Sequence, residues 1–171
     1  MHFDGISVRT VSEELVSDIP GLTKRCLQIQ MDKMAKQHKV TQYHYTSWPD
    51  FGVPDTPRTL VDLVNIVREE HPSNEICLVH CSAGVGRTGT MIALNKIMEE
   101  IDNGAEEVDI FETVLQLRSE RVQMVQKQTQ YMFLYGCIEY YLSMKEKRGD
   151  DQNIDSYYVY NLDEDHEADS D

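Results

Sequence analysis

A cysteine and an arginine stand six positions apart in a segment of small residues, and each part of this segment has a use in binding an anion. The residues between Cys81 and Arg87 are Ser82, Ala83, Gly84, Val85 and Gly86. Small side chains let the backbone curl so that successive N–H groups point inward and form an anion nest. A helix predicted to begin near Thr88 directs its positive N-terminal end at the same point. The planar Arg87 guanidinium matches two phosphate oxygens at once, so the segment predicts a phosphate-binding loop.

Cys81 stands at the mouth of this predicted loop, next to backbone N–H groups and a guanidinium. An ordinary cysteine, with a pKa of about 8.5, is only roughly 3 % thiolate at pH 7. Helix N-termini and cationic neighbours lower a cysteine pKa to about 3.5–7.5. The sequence context therefore favours the thiolate of Cys81, and a thiolate that faces a phosphate cradle is placed to attack phosphorus.

Three separate segments resemble the motifs of one family, in the family's order. HCSAGVGRT, at His80–Thr88, matches the phosphate-loop signature of the protein tyrosine phosphatases. YTSWPDFGVP, at Tyr45–Pro54, resembles their mobile general-acid loop. RSERVQMVQKQTQYMFLY, at Arg118–Tyr135, resembles their glutamine-bearing segment and the following helix. The resemblance runs from about Asp4 to Leu142 and is to the tyrosine-specific branch, since the compact dual-specificity branch usually lacks the last two segments.

The resemblance implies a two-step hydrolysis of phosphotyrosine. Asp50 would be the general acid that protonates the leaving phenolate, whose parent pKa is about 10, and such proton transfer contributes about 10²–10⁴-fold. Residues 82–87 and Gln126 would bind the phosphate. In the second step Asp50 would act as a base, while Gln126 and Gln130 position the water that hydrolyses the phosphocysteine.

The resemblance also implies four supporting residues around the reacting groups. Thr88 would donate a hydrogen bond to the departing thiolate, and His80 would hold the loop and tune the sulfur. Trp48 would let the acid loop close and exclude water. Arg121 would support the phosphate loop from behind. No cofactor and no metal is expected.

The elements that must position these residues are visible in the hydrophobic pattern. Alternation and turn residues predict three strands, at Ile6–Val11, Leu22–Gln30 and Lys39–Tyr45. Two prolines and a glycine predict a loop at Ser47–Pro54. Apolar residues at helical spacing predict four helices, at Thr59–Glu70, Thr88–Ile101, Val108–Leu117 and Thr129–Met144.

A short apolar run, Ile76–His80, leads directly into Cys81 and predicts a buried central strand. We therefore expect an α/β or α+β fold with a mixed central β-sheet flanked by helices, and with the phosphate-binding loop between a central strand and a helix. Residues 1–145 are expected to form part of a catalytic domain whose N-terminal part is missing, with its recognition loop and several strands. Residues 146–171 are acidic and are expected to be a disordered tail or linker.

Two other site types fit fragments of the same segment. Gly84, Gly86 and Gly89 have the spacing of a dinucleotide-binding fingerprint, but that motif should follow a strand directly and lead to a second strand with an acidic end. Cys77, His80 and Cys81 suggest zinc, but Cys77 and His80 would face opposite sides of a strand and no second ligand pair follows. Both interpretations are less favoured than the phosphate loop.

The composition limits the partners and the compartment. The 171-residue chain has a formal charge of −14, which argues against nucleic acid and anionic membranes as partners. No membrane-spanning segment or signal peptide is expected in this chain. Four cysteines without paired spacing favour a reducing, cytoplasmic setting, which includes the intracellular part of a receptor-type protein. The expected partners are phosphotyrosine-containing proteins in signal transduction.

Two functional hypotheses remain open from the sequence. The first is an active phosphatase, which the presence of Asp50, Cys81 and Arg87 favours. The second is a phosphotyrosine-binding or regulatory fragment with little or no turnover, which the missing N-terminal part favours.

Overall fold

The computed structural model describes residues 2–31, 37–71 and 75–149, in which strands come first and helices follow. The strands are β1 (His2–Phe3), β2 (Ile6–Leu15), β3 (Leu22–Met31) and β4 (Gln37–Tyr45). The helices are α1 (Pro57–Glu70), α2 (Gly86–Asp102), α3 (Ile110–Glu120) and α4 (Gln128–Arg148). The predicted combination of a sheet with flanking helices is confirmed.

The strands form one antiparallel sheet in the order β1-β2-β3-β4. β2 and β3 pair along most of their length, and a register shift between Thr10 and Ser12 marks a bulge. The three strands predicted from alternation are confirmed, each longer than the sequence pattern indicated. β4 runs to Tyr45 and delivers the chain directly to the predicted acid loop.

A tight turn before β3 fixes the start of that loop. Gly21 has φ +84°, and a Cβ placed on it would lie 1.9 Å from the Ser47 hydroxyl oxygen, so only glycine fits. The Gly21 carbonyl accepts hydrogen bonds from the Thr46 backbone N–H at 2.9 Å and from its hydroxyl at 3.1 Å. The first residues of the acid loop are therefore fastened to the sheet.

The helix boundaries follow from local capping. The Thr56 hydroxyl accepts a hydrogen bond from the Thr59 backbone N–H at 3.3 Å, with Pro57 at the first helical position of α1. The Asp109 carboxylate accepts one from the Glu112 backbone N–H at 2.9 Å and caps α3. The four predicted helices are confirmed. α4 continues to Arg148, and residues 150–171, which make up most of the predicted acidic tail, lie outside the described residues.

The hydrophobic core is built around α2, against which α1, α3 and α4 pack. Its buried side chains on α2 are Ala93, Leu94, Ile97, Met98 and Ile101. The facing side chains include Leu60, Val61 and Val64 of α1, Val114 and Leu117 of α3, and Leu134, Cys137 and Ile138 of α4. This packing holds the N-terminal end of α2, where Arg87 lies, in a fixed position.

A half-buried carboxylate joins three of the helices at their far ends. Asp102 of α2 accepts hydrogen bonds from Arg68 at 2.6 Å, from the Tyr141 hydroxyl at 2.5 Å and from Lys145 at 2.9 Å. Burial acts to raise the pKa of Asp102, but these three donors outweigh it and lower the pKa. The cluster fixes α1 and α4 against α2.

The predicted central strand Ile76–His80 is wrong in this structure. Residues 76–80 have no regular secondary structure, and Ile76 and Leu78 are 97 % and 85 % exposed. A central strand needs hydrogen-bonded neighbours, and none of the described strands pairs with this segment. The sheet is therefore antiparallel throughout its described strands, not mixed as expected, and the phosphate loop follows an exposed segment.

We expect the core around α2 to set the stability of the chain. Leu94→Ala should lower the free energy of unfolding by about 2–5 kcal/mol, because it leaves a cavity among fully buried side chains. Leu115→Ala makes the same chemical change at a half-exposed position of α3 and should change it by about 0.5 kcal/mol or less. Urea unfolding followed by circular dichroism measures both, and equal losses would contradict this assignment of the core.

Candidate active site

The segment from Cys81 to Gly86 folds as a loop whose backbone turns toward the Cys81 sulfur. Gly84 has φ +70°, a left-handed conformation that glycine adopts at little cost. Its backbone N–H donates a hydrogen bond to the Cys81 Sγ at 3.3 Å. α2 begins directly after the loop, and no side chain caps its first turn, so the N–H groups of that turn are left for an anion.

The same groups favour the ionised sulfur. Burial acts to raise the pKa of the Cys81 thiol, but the Thr88 hydroxyl and the backbone N–H groups of Thr88, Gly84 and Val85 lower it to about 6. The Thr88 hydroxyl is buried and makes no other hydrogen bond among the described residues, so its proton is available to the sulfur. By contrast, burial alone raises the pKa of Cys137 to about 12. Cys81 is therefore mostly thiolate at neutral pH.

Arg87 closes the loop and connects it to the acid loop. Its guanidinium donates to the Ser82 hydroxyl at 3.0 Å and to the Trp48 carbonyl at 3.2 Å. It also donates to the Asp50 carboxylate as an ion pair. Asp50 and Arg87 lie 37 positions apart in sequence, and this contact brings the predicted acid beside the predicted phosphate loop.

The acid loop is held by hydrogen bonds to a single carbonyl. The Gly52 carbonyl accepts from the Trp48 indole N–H at 3.0 Å and from the Gln130 side-chain amide at 3.2 Å. Trp48 is buried, and its ring lies 6.4 Å from that of Tyr45. The loop that carries Asp50 is thus fixed at one end by the core and at the other by α4.

The glutamine-bearing segment packs against the phosphate loop through its backbone. The Val125 N–H donates to the Val85 carbonyl at 3.0 Å. A Cβ on Gly89 would lie 2.4 Å from the Val125 nitrogen, so this approach requires glycine in the first turn of α2. The Arg121 guanidinium donates to the Ala83 carbonyl at 3.0 Å. The segment therefore contacts the phosphate loop through both backbone and side chain, and the supporting role that the resemblance implies for Arg121 stays a prediction.

The two glutamines differ in their surroundings. Gln126 is exposed, and its side-chain oxygen would lie 3.4 Å from a Cβ placed on Gly86, so its amide faces the phosphate loop. Gln130 is buried, with its amide nitrogen on the Gly52 carbonyl and its oxygen accepting from the Lys127 backbone N–H at 3.2 Å. Gln126 therefore faces the phosphate loop, whereas both polar atoms of the Gln130 amide are engaged in hydrogen bonds.

The structure brings together nearly all the predicted site residues. The exception is His80, which is exposed and makes no hydrogen bond to the loop in the part of the chain that the structure describes, so its tuning role stays a prediction. Sequence reasoning missed Gly89 as a contact residue and Arg118, whose guanidinium holds the Met124 and Val125 carbonyls at 2.9 Å. For Gly89, the position of a glycine inside a helix was an available signal. For Arg118, no spacing rule indicates the contact.

This geometry, in which a thiolate faces an amide loop and an arginine pairs with a carboxylate, defines a site suited to cysteine-dependent phosphate chemistry. Comparisons with known proteins agree. Residues 1–140 match the family model described as protein-tyrosine phosphatase. The chain therefore belongs to the protein-tyrosine phosphatase family.

The relatives that the chain matches are much longer proteins. It is 38 % identical to receptor-type tyrosine-protein phosphatase eta of Gallus gallus over 164 residues, which are 92 % of this chain and 11 % of that protein. It is 44 % identical to receptor-type tyrosine-protein phosphatase epsilon of Rattus norvegicus over 124 residues, or 71 % of this chain and 18 % of that protein. The chain thus spans less than a fifth of the length of these relatives.

None of the helices in the described residues has the length and apolar character needed to cross a bilayer.

We expect the pKa of Cys81 to be measurable by alkylation. Iodoacetamide reacts with the thiolate, so the rate at Cys81, read by peptide mass spectrometry, should rise with pH and reach half its maximum near pH 6. Thr88→Val removes a donor to the sulfur and keeps the β-branched shape, which raises the pKa. A hydrogen bond to a charged group contributes about 1.5–3 kcal/mol, which corresponds to a rise in pKa of about 1–2 units, so the rate at pH 6 should fall about 7- to 80-fold. A midpoint near 9 in the parent protein would contradict the account.

Proposed function

We propose that this chain carries the catalytic site of a phosphatase that hydrolyses phosphotyrosine through a phosphocysteine intermediate on Cys81. The observation that supports this most strongly is the ion pair between Asp50 of the acid loop and Arg87, which closes the loop that begins at Cys81 and lies 37 positions away from Asp50 in sequence. The N–H groups of residues 82–87 would bind the phosphate, and Arg87 would turn from Asp50 and Ser82 to its oxygens.

In the first step the Cys81 thiolate attacks phosphorus. The S–P bond forms and the P–O bond to the tyrosine breaks. Asp50, protonated by the water of the second step and released from Arg87 as the guanidinium turns to the phosphate, gives its proton to the leaving phenolate. The loop N–H groups and Arg87 stabilise the charge on the phosphoryl oxygens as it develops. The position of Asp50 beside Arg87 supports its place near the leaving oxygen.

In the second step water hydrolyses the phosphocysteine. Gln126 orients the water, Asp50 accepts its proton, and the sulfur leaves as a thiolate stabilised by Thr88. The resemblance implies that Gln130 also positions this water. We assign it another role, because its amide nitrogen donates to Gly52 and its oxygen accepts from Lys127. Gln130 instead keeps the acid loop in place.

The extent and setting of the protein are part of the proposal. Residues 1–145 would be part of a catalytic domain and residues 146–171 an acidic tail whose first residues, to Arg148, continue α4. Phosphotyrosine-containing signalling proteins would be the substrates. Free cysteines at Cys26, Cys77, Cys81 and Cys137 support a reducing, cytoplasmic location, which includes the intracellular part of a receptor-type protein. The receptor-type names of its relatives favour the latter.

A second candidate is a phosphotyrosine-binding fragment with little turnover. The exposed, irregular segment 76–80 favours it, because this segment leads into the nucleophile without the support of a sheet. Such a protein would bind a phosphotyrosine peptide and release no phosphate.

We expect Cys81→Ser to abolish phosphate release from a phosphotyrosine peptide, and Asp50→Ala to lower kcat about 10²–10⁴-fold while peptide binding persists. Asp55→Ala removes another exposed carboxylate in the same stretch and should retain the parent rate. Released phosphate and fluorescence anisotropy of a labelled peptide measure turnover and binding separately. Parent turnover in Asp50→Ala would remove Asp50 from its role, and a parent protein that binds without releasing phosphate would favour the second candidate.

A further inference from the structure

A lysine side chain reaches the acid loop from the start of α4. The Lys127 ammonium lies 5.2 Å from the centroid of the Phe51 ring, within the range of a cation–π interaction. Phe51 directly follows Asp50, the proposed general acid. A contact that fixes Phe51 therefore also restricts the position of Asp50.

Phe51 needs such a partner. Its φ is +59°, a left-handed conformation that is rare for a bulky side chain, and the side chain is 65 % exposed. Strained backbone persists only where surrounding contacts fix it. Core packing cannot provide a fixing contact for an exposed ring, whereas an ammonium group over the face of the ring can.

The backbone of Lys127 is itself fixed. Its N–H donates to the Gln130 side-chain oxygen, and the same amide donates through nitrogen to the Gly52 carbonyl. Two consecutive residues of the acid loop are thus held from α4. Lys127 contacts the Phe51 ring through its charge, and Gln130 hydrogen-bonds the Gly52 carbonyl.

We propose that Lys127 is a positioning residue for the general acid, holding Phe51 so that Asp50 stays over the phosphate loop. The inference rests on the proposed function. A competing role exists, because Lys127 also lines an open groove with Arg118, Gln123 and Gln126, where it can meet a carboxylate of the substrate. The two roles differ in the kinetic constant they change: loop positioning acts on kcat, and substrate contact acts on KM.

The kinetic test uses the full chain and two small substrates that carry no carboxylate. Phenyl phosphate has a poor leaving group that needs the acid, whereas p-nitrophenyl phosphate has a better one. Lys127→Met should lower kcat for phenyl phosphate about 2- to 5-fold, with a smaller loss for p-nitrophenyl phosphate and little change in KM. Lys127→Arg should retain the parent kcat, since arginine also binds an aromatic face. Lys39→Met, an exposed lysine of β4, is the matched control and should behave as the parent.

A double-mutant cycle identifies the partner. Phe51→Leu should lower kcat on its own, and adding Lys127→Met should then cost nothing further. A loss from Lys127→Met that is the same in both backgrounds, that appears in KM with an acidic phosphopeptide, or that is absent altogether would overturn the inference.

A second measurement does not depend on turnover. Trp48 is the only tryptophan of the chain and lies in the acid loop, so its fluorescence reports the loop alone. Lys127→Met and Phe51→Leu should each increase quenching of Trp48 by acrylamide, while Lys127→Arg and Lys39→Met should not. An inactive parent with this quenching pattern would defeat the proposed function, and only the hold of Lys127 on the acid loop through Phe51 would stand. Unchanged quenching in Lys127→Met would defeat the inference whatever the activity.

Discussion

The site depends on backbone N–H groups that converge on one sulfur atom. A thiolate in water is a minority species at neutral pH, and here the Gly84, Val85 and Thr88 N–H groups with the Thr88 hydroxyl reverse that balance against the effect of burial. The same groups that stabilise the sulfur anion are the ones that can bind phosphate oxygens. One arrangement would therefore prepare both the proposed nucleophile and the proposed phosphate site, and the packing of the core around α2 holds it in place.

Glycine at close approaches lets the other parts of the site reach this loop. Gly89 admits the Val125 backbone, which places the glutamine-bearing segment against the loop, and Gly21 admits Ser47 at the start of the acid loop. Gly52 then links the acid loop to α4 through a carbonyl shared by Trp48 and Gln130. Each of these contacts has a backbone atom on at least one side, so the path of the main chain itself sets the position of these segments.

The helices and the three long strands could be predicted from the sequence, because each leaves a pattern of apolar residues within its own segment. The sequence predicted that Asp50 lies beside the loop of Cys81 and Arg87 only through the family resemblance, since no local rule connects Asp50 with Arg87, 37 positions away. The prediction of a strand at Ile76–His80 was wrong because an apolar run becomes a strand only when neighbouring strands pair with it. The contact of Lys127 with Phe51 could not be predicted, because it requires an unusual backbone angle that phenylalanine does not signal.

The most direct measurement of the central claim is the identity of the atom that receives the phosphoryl group. The Gln126→Ala variant should hydrolyse the intermediate slowly, so acid quenching during its reaction with a phosphotyrosine peptide should preserve it. Mass spectrometry of the digested protein should then locate phosphate on Cys81 and on no other residue. Phosphate on His80, or steady turnover in the parent with no phosphorylated protein at any time, would contradict the account.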